Sequence, residues 1–310
     1  MKEPRLILGI GELLWDMLPD GPQLGGAPAN FAVMAGRLGN HAAILSRIGR
    51  DELGRKAVDH LDPLPADTSR LQVDPSHETG RVYVTLKHGQ PEYEIHQPAA
   101  WDFLELSDEW VQLAERADAI CFGSLAQRAH ESRQTIQTLA AQTSSACARV
   151  FDVNLRPPFY SGETVQESLE LATVVKMNDA EMPLLLGLLG LPAGEDSSSV
   201  QLRVGAERLL AEFPTLRMVA VTCGDRGSLL VTRDEWHEHP GIPIKVADTI
   251  GAGDAFTAAL VHYLLRGADL PTLNEAGNRW GSWLASQSGA MPVLPESTRT
   301  AIEASIEQNA

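Results

Sequence analysis

Short, almost wholly apolar runs alternate with stretches of helical spacing along most of the 310 residues. The runs at 6–10, 42–48, 119–122, 149–153, 173–177, 218–222 and 228–232 hold too few polar positions for strands with one wet face. Helix-length segments lie between several of them, at 107–116, 131–141, 180–187 and 200–213. Strands apolar on both sides and separated by helices predict a mostly parallel sheet covered on both faces. One region breaks this rhythm. Residues 80–86 alternate polar and apolar, Lys87-His88-Gly89-Gln90 reads as a turn, and 92–97 alternate again. That is a hairpin with one solvated face, which belongs outside the central sheet. Residues 12–18 have similar character. The expectation is one α/β domain over 1–310, with a small β-sheet lid from strands within about 12–24 and 79–100.

In open sheets of this kind, ligands gather beyond the carboxyl ends of the strands. The most informative stretch is Asp248-Thr249-Ile250-Gly251-Ala252-Gly253-Asp254, which runs into Ala255-Phe256-Thr257-Ala258-Ala259-Leu260-Val261. A glycine-rich turn thus opens an apolar helix, whose unpaired N–H groups and partial positive charge suit an anion. Asp254 is badly placed to bind phosphate itself. It is well placed to take a proton from a nucleophile that attacks the phosphate. Aspartate is also a favoured N-cap, so residue type alone leaves both roles open.

Four further constellations fall at strand ends or helix starts. Gly25-Gly26-Ala27-Pro28-Ala29-Asn30 precedes a helical run. Its glycines open the backbone, and Asn30 offers a donor and an acceptor to a pair of hydroxyls. Asp16, upstream, can accept from the same hydroxyls, although a tight turn with a solvated Asp16 fits equally. Asp152-Val153-Asn154-Leu155-Arg156 sets an arginine fork after a strand, suited to a transferring phosphoryl group or to solvent. Asn178 and Glu181, three apart on the first turn of a helix, can orient Mg²⁺ through its water shell or form a capping box. Thr222-Cys223-Gly224-Asp225-Arg226-Gly227 presents a hydroxyl and open amides to a nucleotide, or is a hairpin turn.

Other motifs fail. Gly9 and Gly11 lack the third glycine of a dinucleotide fingerprint, because position 14 is Leu. Gly49 and Gly54 have Walker spacing but are followed by Arg55-Lys56. His237-Glu238-His239 reads as a charged loop, and Trp280 with Trp283 as core or interface. The net charge of -16 argues against nucleic acid or an anionic membrane as a partner. Cys121, Cys147 and Cys223 are isolated, which fits a reducing compartment. No signal-peptide pattern and no apolar window of membrane length appears, so a cytoplasmic protein is expected.

With these residues in view, the chain resembles the PfkB, or ribokinase-like, family of carbohydrate kinases, and within it the bacterial fructokinases. Gly25–Asn30, Arg37-Leu38-Gly39 and Gly49–Gly54 look like the family's first signature, and Asp248–Phe256 like its second. Asn178–Glu181 matches its N-x-x-E motif. Gly11-Glu12-Leu13-Leu14-Trp15-Asp16 and Asp152–Arg156 look fructokinase-like. Ala27 stands where ribokinases carry a lysine.

The resemblance implies a ribokinase-like fold and ATP, Mg²⁺ and a sugar as ligands. Asp254 would be the base, Gly251, Ala252 and Gly253 the anion hole, and Arg156 a neighbour of the transferred phosphate. Asp16, Gly25, Gly26 and Asn30 would hold the sugar. Asn178, Thr222, Gly224, Gly227 and Asn278 would serve the nucleotide, Asn278 preceding Gly289 by the spacing of relatives. Glu181 would act on Mg²⁺ through water. Asp248, the Ile250 carbonyl and the loop near Gln287 and Gly289 would hold K⁺, although Val293 replaces a hydroxyl found in ribokinase-type relatives. Lids of the family can dimerise, so Val82, Val84, Leu86 and Ile95 face either the sugar or a second copy.

D-Fructose is the expected acceptor. 2-Keto-3-deoxygluconate, ribose or a nucleoside stay open, as does a sugar-binding regulator without catalysis; the missing glycine argues against a nicotinamide dehydrogenase.

Overall fold

The computed structural model describes residues 4–19, 21–87, 90–194 and 198–309, with the backbone alone for 84–87, 90–93 and 309. The strands are β1 (Leu6–Ile10), β2 (Leu14–Leu18), β3 (Gly21–Gly25), β4 (His41–Leu45), β5 (Arg47–Gly49), β6 (Gln72–Asp74), β7 (Gly80–Lys87), β8 (Gln90–Ile95), β9 (Ala119–Gly123), β10 (Ala148–Asp152), β11 (Val174–Asn178), β12 (Met218–Thr222), β13 (Ser228–Val231) and β14 (Trp236–His239). The helices are α1 (Ala27–Arg37), α2 (Glu52–Leu61), α3 (Asp108–Arg116), α4 (His130–Gln142), α5 (Gly162–Leu171), α6 (Glu181–Leu188), α7 (Ser199–Glu212), α8 (Ala252–Leu264), α9 (Leu270–Ala285) and α10 (Glu296–Asn309).

Eight strands form the central sheet in the order β14-β13-β12-β11-β10-β9-β1-β4. Pairing is parallel from β12 to β4, and β13 and β14 add an antiparallel edge. Successive strand residues feed opposite layers. Leu8, Ile10, Phe122, Phe151 and Val175 pack with residues of α4–α7 in one core. Ile7, Ile44, Cys121, Val150 and Ala220 pack with residues of α1, α8 and α9 in the other. Burial on both sides is why these strands carry almost no polar residue, and why the few that do mark the site.

The small sheet runs β3-β2-β7-β8, with β7 parallel to β2 and antiparallel to β8. Val82 is 5 % exposed and joins the core beside Trp101, and Ile95 packs against the same cluster. These two therefore face the body of the molecule. The turn residues at 88–89 and the side chains of Val84 and Leu86 lie outside the described residues.

Three expectations need correction. The run at 42–48 is two strands. Gly11 donates to the Leu45 carbonyl at 3.1 Å, and the Ser46 hydroxyl donates to the Gly11 carbonyl at 2.6 Å. The ladder to β1 ends there, and β5 turns away to pair with β6. His237-Glu238-His239 belongs to β14 rather than a loop: it pairs with β13, and His239 turns inward to Glu275 at 2.7 Å. Asn178 is the last residue of β11 and precedes the first turn of α6 instead of lying in it.

Candidate functional site

The carboxyl ends of β1, β10, β11 and β12 and the amino end of α8 converge. Gly251 caps α8 with φ 80, a left-handed conformation natural to glycine. The Ala252 amide donates to the Thr249 carbonyl at 3.2 Å. Gly251, Ala252 and Gly253, the three residues expected to form the anion hole, thus make up the cap and first residues of α8. Asp254 then sits in the first turn, and Asn30 of α1 donates to its Oδ2 at 2.7 Å.

Further charged groups share Asp254's surroundings. Its carboxyl is pushed up to about 6, first by burial and then by Asp152, against Lys176, the Asn30 bond and Arg156. Glu12, 3 % exposed, is pushed up to about 7, chiefly by burial. Its Oε1 accepts from the Ala27 amide at 3.3 Å. Asp16 is raised by burial and by Asp248, with Arg156 opposing, and its Oδ2 lies against Gly25. Arg156 thus acts electrostatically on Glu12, Asp16 and Asp254 alike. The structure gathers Asp16, Gly25, Gly26, Asn30, Arg156 and Asp254 into one place. Gly26, with φ 117, must be glycine because a Cβ would run into the Glu12 carbonyl. Asn30 Oδ1 is buried and has no partner among the described residues.

On the other side of the α8 turn lies a cavity of about 560 Å³, bordered by Thr222, Gly224, Gly227, Asn278, Ala252 and Gly253. Asn278 Nδ2 is spent on Ser228 at 2.6 Å and the Asn274 carbonyl at 2.8 Å, so the side chain is fixed before any ligand arrives. Gly227 also packs against the β14 backbone, where a Cβ would meet the His239 carbonyl. Its glycine has that structural reason besides the cavity.

Asn178 and Glu181 form the capping box. Glu181 Oε2 accepts from the Asn178 amide and Asn178 Oδ1 from the Glu181 amide, each at 2.9 Å. Glu181 Oε1 accepts from the Leu155 amide at 2.8 Å. Each Glu181 oxygen therefore accepts one backbone N–H, which fixes the side chain in place. Among the described residues no group of three or more acidic, His or Cys side chains could hold a metal ion. Asp248 gathers the expected cation loop: it accepts from Ile250 at 3.0 Å and Gly289 at 3.1 Å. Val293 is 84 % exposed.

Sequence reasoning missed two buried charges. Lys176 lies in β11, opposite Asp152 of β10, and its Nζ is 3.1 Å from Oδ1 and 3.2 Å from Oδ2. The signal was a lysine inside an otherwise apolar strand, Val174-Val175-Lys176-Met177. Glu12 had no assigned role; its signal was a lone carboxylate between Gly11 and two leucines. Trp280 is fully buried and packs edge-on against Trp283, ring centroids 5.8 Å apart, which makes the pair core. All three cysteines are free. No helix among the described residues is long and apolar enough to cross a membrane.

Comparison with known proteins gives a consistent picture. A family model described as pfkB family carbohydrate kinase matches residues 22–297. Fructokinase-1 of Zea mays is 28 % identical over 318 residues, covering 94 % of this chain and 95 % of its own. The crystal structure of a fructokinase from Vibrio cholerae O395, bound to fructose, ADP and calcium, superposes with a TM-score of 0.79 at 28 % identity, over 97 % of this chain and 98 % of that one. A Xylella fastidiosa fructokinase with bound ATP shares the fold at a TM-score of 0.82 and 23 % identity, over 98 % and 99 % of the two chains.

Proposed function

Because the chain belongs to the pfkB family of carbohydrate kinases, we propose that this ATP-dependent sugar kinase acts on D-fructose, with Asp254 as the base. The observation that carries the reading is the 2.7 Å bond from Asn30 to Asp254. It joins the glycine turn suited to a sugar to the helix start suited to phosphate. Asn30 Nδ2 occupies Asp254 Oδ2 and leaves Oδ1 for the proton of a sugar hydroxyl. The buried Asn30 Oδ1 accepts from a neighbouring hydroxyl. As the hydroxyl oxygen bonds to the γ-phosphorus, its proton passes to Asp254 and the bond to the β,γ-bridging oxygen breaks, releasing ADP. The Gly251, Ala252 and Gly253 amides meet charge on the phosphoryl oxygens, and Arg156 meets it from the loop after β10.

Asp16 and the Gly25–Gly26 turn hold the sugar, and the cavity beside Thr222, Gly224, Gly227 and Asn278 takes the nucleotide. Mg²⁺, when bound, would supply positive charge to offset that of the phosphates. Asn178, paired with the cavity residue Thr222 across the sheet, and Glu181 would serve its water shell. The Asp248, Ile250 and Gly289 loop is the place for K⁺. The small sheet, closing over the sugar, excludes water and so limits ATP hydrolysis. Fructose is favoured by Ala27, which offers no lysine to the sugar, and by the fructokinase names of similar proteins.

The test is ADP release from Mg-ATP with fructose, ribose, 2-keto-3-deoxygluconate, glucose and adenosine in parallel. Turnover with fructose, lowered about 10²–10⁴-fold in Asp254→Asn, is the expected result. Turnover only with another acceptor overturns the substrate, and wild-type turnover in Asp254→Asn overturns the base.

A further inference from the structure

Directly behind the α8 turn lies a charge that this mechanism does not use. Lys176 is 8 % exposed and Asp152 is 4 % exposed. A Cβ built on Gly253 would stand 2.8 Å from Lys176 Nζ, so the ammonium rests against the underside of the amide turn. Asp152 holds it there at 3.1 and 3.2 Å. Thr257, one helical turn after Gly253, donates to Asp152 Oδ2 at 3.2 Å or to the Gly253 carbonyl at 2.9 Å. Lysine, aspartate, threonine and glycine thus form one connected unit spanning β10, β11 and α8.

We infer that Lys176 is a positioning residue for phosphoryl transfer, its ammonium a fixed cation that backs the Gly251–Gly253 turn and keeps Asp254 in its basic form. This rests on Asp254 acting as base. A buried ion pair contributes little net stability compared with apolar residues of similar volume, so packing alone does not call for a charge in this strand. A cation fixed beside the point where negative charge develops contributes in the transition state, because it needs no reorganisation there.

The electrostatics agree with the geometry. Asp254 is faced by Asp152 from β10, Lys176 from β11, Asn30 from α1, Glu12 from the loop after β1 and Arg156 from the loop after β10. The Cys121 thiol of β9 lies in the same field. Of the pair, Asp152 raises the Asp254 carboxyl and Lys176 lowers it. Lys176 itself is held charged by Asp152, Asp254 and Glu181, against its burial. Removing each partner of the pair should therefore move the base in opposite directions.

The experiment is the pH profile of kcat/KM for Lys176→Met and Asp152→Asn, with Tm of each. The acid limb is expected to rise by about one pH unit in Lys176→Met and to fall in Asp152→Asn. The kcat of Lys176→Met is expected to drop about 10²-fold, the scale of a lost fixed donor. A merely structural pair would lower Tm in both variants and leave both limbs where they were; that result overturns the inference, as does an unchanged kcat in Lys176→Met. If Lys176→Met does not fold, Lys176→Gln is read in its place: a raised limb supports the inference and an unmoved one overturns it. Asp254→Asn is assayed alongside. Retained turnover there removes the base reading itself, whereas an inactive Asp254→Asn with unmoved limbs removes only the role of Lys176.

Discussion

Asn30, in the first turn of α1, donates its side-chain amide to Asp254, in the first turn of α8, across 224 positions of sequence. The bond does two things. It orients the carboxyl, and it lowers the proton affinity that burial raises. Asn30→Ala should therefore cut kcat/KM about 10²-fold and move its acid limb upward from near pH 6. ADP-release assays between pH 5 and 9, on the scale used to locate such limbs, check both parts.

Glu12 gives a stability prediction. Its carboxyl rises from 4.5 to about 7 on folding. A carboxyl raised in this way stabilises the fold while protonated, fully so below its unfolded value, and the contribution is lost as pH rises through about 7. Glu12→Gln keeps an oxygen for the Ala27 amide and removes the ionisation. The variant should match the wild type near pH 4 and exceed it above pH 8 by up to about 3 kcal/mol, from roughly 2.5 units at 1.36 kcal/mol each. Urea unfolding at the two pH values measures the difference.

Glu181 accepts backbone N–H groups on both oxygens, from Leu155 and Asn178. Glu181→Gln offers one acceptor in place of two, so one amide loses its partner, at about 1–3 kcal/mol. If the residue also serves the metal's water shell, activity should fall further than stability explains and recover in part at high Mg²⁺. Urea midpoints and a Mg²⁺ titration of turnover separate the two contributions.

Gly26→Ala should be among the most damaging small substitutions in the molecule. The residue has φ 117, and its Cβ would meet the Glu12 carbonyl. Strain and overlap together predict a loss of about 3 kcal/mol or more. Chemical denaturation is the measurement, with Gly21→Ala as the contrast: Gly21 has φ 122 but nothing within 4 Å of its Cβ.

Much of this was legible in the sequence because burial on both faces strips polar residues from central strands. The runs leading to Asp152, Asn178 and Thr222 could be found from that alone, and the alternating 80–97 segment stood out as a separate sheet. What escaped detection depends on tertiary partners. Ser46 ends a strand only because Gly11 is opposite it. His237 and His239 look like a solvated loop until β13 and Glu275 supply their bonds. Lys176 stands out only as a lysine in an apolar strand, and its role stays unread until Asp152 pairs with it across the sheet. The capping box of Asn178 and Glu181 could be read from spacing, but not the third bond, from Leu155, which occupies the second oxygen.

The long separation of Asn30 from Asp254 also has a consequence in time. During synthesis at 5–20 residues per second, Asn30 emerges roughly 10–45 s before its partner. A nascent or truncated chain that ends before α8 presents the Gly25–Asn30 turn, but it has neither Asp254 nor the glycine turn ahead of it. Such a fragment lacks the groups assigned to phosphoryl transfer, so the chemistry becomes available only when nearly the whole polypeptide has been made and its last helices have docked.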